Sequence, residues 1–69
     1  MTPQEFKAAR KRLKLNQKEF ADLLKLNGDG FISKMESGKK SISDKTEHFL
    51  KMILMIEDIK DIIEKAVDK

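Results

Sequence analysis

The chain is 69 residues long with a net charge of +3 and no cysteine, so it is one small domain that neither disulfides nor thiolate-bound metal can brace. A chain of this size buries only about 60% of the surface its unfolded form exposes, which leaves close helix packing and self-association as sources of stability. No apolar run exceeds Met52–Ile56, far short of the roughly 20 residues of a membrane span, and charges at Glu5 and Lys7 interrupt the start before a signal-peptide core develops.

The β-branched residues are mostly isoleucines at helical spacing and no run alternates strictly, so the chain reads as all-α. The first helix has a clear start: Thr2 can cap it, Pro3 suits its first position, and Glu5 stands where a capping box places its carboxylate. Phe6, Ala9 and Leu13 form its inward stripe, Arg10 lies on the flank, and Lys7, Lys11, Arg12 and Lys14 make the remainder basic. A second helix starts at Asn16, with Glu19 completing a second capping box, and shows a wide apolar face of Phe20, Ala21, Leu23 and Leu24.

Asn27-Gly28-Asp29-Gly30 favours a turn, after which either Asn27 or Asp29 caps a third helix reaching about Ser37. Gly38 fits the left-handed position that ends it. A loop, Lys39–Ser43, is anchored by Ile42, and Ser41 or Ser43 caps the next helix. The remainder contains no glycine or proline, and is either one long helix or two with a kink within 55–60. Its last part carries a narrow stripe of Ile59, Ile62, Ile63, Ala66 and Val67.

Charge divides the chain as well. Residues 1–45 carry 11 Lys/Arg against 6 Asp/Glu, whereas residues 46–69 carry 4 against 6. A basic head followed by an acidic tail points to a polyanion-binding segment and a second segment with another task.

Residues Arg10–Gly38 resemble the core of the Cro/XRE-type helix-turn-helix of lambda-repressor-like transcription regulators. The matching residues are Arg10, Leu13, Leu15-Asn16-Gln17, Phe20-Ala21, Leu24 and Ile32-Ser33-Lys34-Met35-Glu36-Ser37-Gly38. Two features depart from the family pattern: an extra residue within Asn27–Gly30, and Met35 where a large aromatic is usual. The resemblance implies a bundle of four to five helices with a long C-terminal helix. It also implies double-stranded DNA as the partner and a cytoplasmic, bacterial or phage-type setting, with nucleoid association when bound; the absence of cysteine fits a reducing compartment.

Ile32 and Met35, three apart, would turn inward, leaving Asp29, Gly30, Ser33 and Lys34 outward and Phe31 at the edge. By resemblance these read bases: Lys34 to guanine, Ser33 to several bases, Asp29 to cytosine or else acting as a cap, and Phe31 to a thymine methyl or else in the core. Gly30 allows close approach of the backbone to phosphate, or simply serves the turn. Gln17, with Lys18 as a weaker candidate, would meet the sugar-phosphate backbone at the start of the second helix. Lys39 and Lys40 would clamp phosphates, and Arg10 and Glu36 occupy the family's structural ion-pair positions.

Residues 1–56 therefore read as the DNA-binding domain and 57–69 as a helical segment for dimerisation, although its stripe could instead fold back on its own chain. The expected function is a sequence-specific regulator, a repressor, bound as a homodimer to a palindromic, inverted-repeat operator. The alternative is an antitoxin-like or anti-repressor protein-interaction module of the same fold. No enzyme, cofactor, metal or small-molecule ligand is implied, because the single His48 has neither cysteine nor a second histidine beside it and Glu57-Asp58 point apart on a helix.

Overall fold

A computed structural model of the chain describes residues 1–67, so the last two residues of the 57–69 segment lie outside it. The described residues form α1 (Pro3–Arg12), α2 (Gln17–Leu24), α3 (Asp29–Glu36) and α4 (Asp44–Val67). Both capping boxes are formed. Thr2 Oγ1 accepts from the Glu5 N–H at 3.1 Å and Glu5 accepts from the Thr2 N–H at 2.8 Å. Asn16 and Glu19 do the same for α2 at 2.7 and 2.9 Å. The Thr2 backbone N–H holds the Glu5 carboxyl below its ordinary pKa.

The first three helices end alike. In each, one N–H returns to the carbonyl five residues earlier: Leu15 to Arg10, Leu26 to Ala21 and Lys39 to Lys34. The residue before each of these lies in the left-handed region, Lys14 and Lys25 at φ 59° and Gly38 at φ 82°. Gly38 thus ends α3 as its sequence position indicates, whereas two lysines adopt a conformation that disfavours a Cβ.

The start of α3 differs from expectation. Neither Asn27 nor Asp29 caps it; the cap position is Gly28, and no side chain accepts a hydrogen bond there. Asn27 is the centre of a tight turn in which the Gly28 N–H donates to the Leu26 carbonyl at 2.9 Å. Gly28 then takes φ 92°, ψ 172°, a region open essentially to glycine alone, and this swings Asp29 to the first helical position.

Phe6, Ala9, Phe20, Ala21, Leu24, Ile32, Met35 and Leu50 form the buried core, with the Phe6 and Phe20 rings 5.0 Å apart and tilted by 53°. Leu13, Leu15, Leu23, Leu26, Phe31, Ile42 and Leu54 pack around them. Ser43 rather than Ser41 caps α4, its Oγ accepting from the Thr46 N–H at 3.2 Å. One helix of 24 residues runs from there, uninterrupted through 55–60. At 1.5 Å per residue it is about 36 Å long, and it sets the long axis of a molecule measuring 46 × 20 × 19 Å. Among the described residues, no helix is long and apolar enough to cross a membrane.

Two ion pairs lay α4 beside the N-terminal segment. The Met1 amino group meets Glu47, and Arg12 meets Asp58. Each pair of anchors is eleven residues apart on its own segment, so the two run side by side in the same direction. From Ile59 to Val67 α4 continues past the end of α1 with every residue exposed, and the stripe does not fold back on its own domain.

The glycines and the N-terminal ion pair each lead to a measurable outcome. A Cβ at Gly28 meets nothing within 4 Å, as does one at Gly30, so only conformation separates the two sites. Gly28→Ala should lower stability by about 1–3 kcal/mol in urea titration, whereas Gly30→Ala, inside a helix, should raise it by up to about 1 kcal/mol. Lys51 and the Met1 amino group hold the Glu47 carboxyl down at about 2 from 4.5. A depressed carboxyl stabilises the fold above its unfolded pKa and loses that contribution as pH falls through the folded value. The stability difference between the wild type and Glu47→Gln should therefore shrink between pH 4.5 and 2, as read from thermal midpoints.

Candidate nucleic-acid interface

The rotation of α3 about its own axis decides what it can present. Ile32 and Met35 are 0% and 2% exposed, and with these two turned inward Asp29, Gly30, Ser33 and Lys34 stand in solvent. Phe31 is half-buried: part of its ring packs on the core, and the Lys40 ammonium lies 4.5 Å from the ring centroid. A cation over an exposed ring is worth about 0.5–1 kcal/mol, enough to bias where the Lys40 side chain rests.

Lys39 and Lys40 belong to the same corner as Lys34. Past Gly38 the chain reverses, and the N–H groups of Lys39 and Lys40 both donate to the Lys34 carbonyl, at 2.9 and 3.2 Å. The Ser37 hydroxyl donates to that carbonyl too, at 3.1 Å. Three lysines are thereby gathered at the C-terminal half of α3, where cations also suit the helix dipole. None of the three takes part in an ion pair among the described residues, so their charge is free to act outward.

A part-buried network fixes the C-terminal end of α3. Arg10 Nε donates to Glu36 Oε2 at 2.7 Å, and its Nη1 donates to the Leu15 carbonyl at 3.0 Å. The two side chains are 13% and 6% exposed. Gln17 joins them, its Nε2 donating to Glu36 Oε1 at 3.3 Å. One carboxylate thus links α1, the start of α2 and the end of α3.

Gln17 is therefore oriented from within the fold, and its carbonyl oxygen and second amide hydrogen remain for another partner. At the same helix start, Asn16 takes up the Glu19 N–H. The N–H groups of Gln17 and Lys18 have no acceptor among the described residues, and the Lys18 side chain is exposed. Sequence reasoning missed both the Gln17–Glu36 link and the Lys40–Phe31 contact. Neither follows from a local pattern, since each joins residues that only the turns bring together.

A family model described as helix-turn-helix matches residues 6–46, well over half of the chain. No curated protein and no solved structure matches it.

The network makes one outcome specific. Glu36→Ala strands the Arg10 charge in a largely buried site and should cost roughly 3 kcal/mol. Arg10→Met combined with Glu36→Leu should cost clearly less than the sum of the two single changes, as read from urea midpoints in a double-mutant cycle.

Proposed function

We propose that this chain, which belongs to the Cro/XRE-type helix-turn-helix family of DNA-binding regulators, is a sequence-specific repressor that binds an inverted-repeat operator as a homodimer. The observation that carries the reading is the exposed face of α3, flanked by three lysines without acidic partners among the described residues, on a helix whose rotation is fixed from behind. Lys34 donates to guanine O6 or N7, Ser33 bonds base edges, Phe31 offers its free edge to a thymine methyl, and Asp29 accepts from cytosine N4. Gly30 lets the backbone approach closely. Gln17 and Lys18 hold one phosphate at the start of α2, and Lys39 and Lys40 clamp others.

Residues 1–56 supply this head. Residues 57–69 pair two copies through Ile59, Ile62, Ile63, Ala66 and Val67, setting two heads on half-sites about 34 Å, or a multiple of that, apart. The exposure of this stripe supports the pairing, since Ile59, Ile62, Ile63 and Val67 are each at least half in solvent.

Selection of bound duplexes from a random pool tests the whole reading and should return a palindrome. In gel shifts, Lys34→Ala should relax preference at one base position by about 1–3 kcal/mol. Lys39→Ala should weaken all duplexes alike and reduce the salt slope by about 1. Failure to bind any duplex even at low salt overturns the repressor reading in favour of a protein-interaction module.

A further inference from the structure

The tail stripe is the end of a longer seam. Reading back from Ala66, exposed apolar residues recur at Ile63, Ile59, Ile56, Met52 and Phe49, alternately three and four apart. That is the spacing of a two-helix seam. At 100° per residue these positions lie on the side of α4 opposite Leu50 and Leu54, which face the domain's own core. The seam therefore passes from head to tail without a break at 56.

Together with Met55, Ile62 and Val67 on its flanks, the large residues of the seam are 44–77% exposed, a continuous apolar strip of the kind that marks an interaction surface.

We infer that a second copy of this chain covers the seam with its α4 running antiparallel. This rests on the homodimer reading above and deepens it by naming the face and the direction. Phe49 then packs on the partner's Ala66, Met52 on the partner's Ile63, and Ile56 on the partner's Ile59. All of these pairs share one centre, between Glu57 and Asp58, so a single register satisfies the two-fold rule that if one residue meets another, the second meets the first.

Size supports the same direction. The largest seam residue meets the smallest, whereas a parallel pair would set phenylalanine on phenylalanine and alanine on alanine, crowding one layer and emptying another. Charge agrees: in this register the tail lies along the partner's residues 48–56, which carry Lys51 and no carboxylate, instead of along another segment bearing Asp61 and Glu64. At the head end of the seam is a groove of about 400 Å³ lined by Leu24, Lys25, Leu26, Lys45, Thr46 and Phe49. In this register it lies next to the partner's Val67, the most exposed of the large apolar residues.

The cysteine-free chain makes the test direct. Met52→Cys and Ile63→Cys, prepared separately, should each remain uncrosslinked under mild oxidation, and an equal mixture should form a disulfide-linked heterodimer. Self-crosslinking of each variant alone means a parallel pair and overturns the direction. Met52→Glu should raise the dimer dissociation constant by roughly 100-fold or more while circular dichroism shows the head still folded. A dimer unaffected by Met52→Glu confines the interface to the tail, which overturns the long seam and leaves the homodimer standing. A wild-type chain that sediments as a monomer overturns both.

Discussion

Everything that α3 presents depends on the carboxylate of Glu36. It takes two guanidinium hydrogen bonds from Arg10 and one amide hydrogen bond from Gln17. Burying such a pair carries a large desolvation cost, so its contribution is geometric more than energetic. Ile32 and Met35 press one side of α3 into the core, and Glu36 ties its end to α1 and α2. With successive residues 100° apart, a rotation of one position would exchange Lys34 for a core residue. The network and the two apolar anchors together remove that freedom.

The rest of the chemistry sits on this fixed frame. Gly38 and the Lys34 carbonyl bring two further lysines back to the same corner. The Asn16 cap leaves two N–H groups open at the start of α2, beside Gln17. Cations and open donors placed on a rigid helix pair, and not on a mobile loop, lose little conformational freedom on meeting a polyanion. The head is closed by a single α4 core residue, Leu50, with Leu54 packed beside it, so most of the apolar surface of α4 remains outside the head.

α4 has two unlike faces. Leu50 closes the core at 0% exposure, while Phe49 and Met52 on its far side stay nearly half in solvent. A 69-residue chain has too few elements to cover both sides of a 24-residue helix. The ion pairs of Met1 with Glu47 and Arg12 with Asp58 lie on the α1 side of the helix, while Phe49, Met52, Ile56, Ile59 and Ile63 on its other side stay exposed.

Both capping boxes, the left-handed Gly38, the inward pair Ile32 and Met35 and the helix-turn-helix family were legible in the sequence. The local features among these rest on residues within a few positions of one another, where spacing alone dictates who can meet. Tertiary structure decided the remainder. Gly28 rather than Asn27 or Asp29 opens α3, because the turn out of α2 demands a conformation that only glycine adopts readily. Lys14 and Lys25 accept left-handed backbones because Leu15 and Leu26 must return to the core. Gln17 turns toward Glu36, and Lys40 rests over Phe31, across separations that no local pattern encodes. That α4 is one helix was also decided in three dimensions: Leu50 and Leu54 seat its first half against the head, and the helix continues unbroken past Asp58.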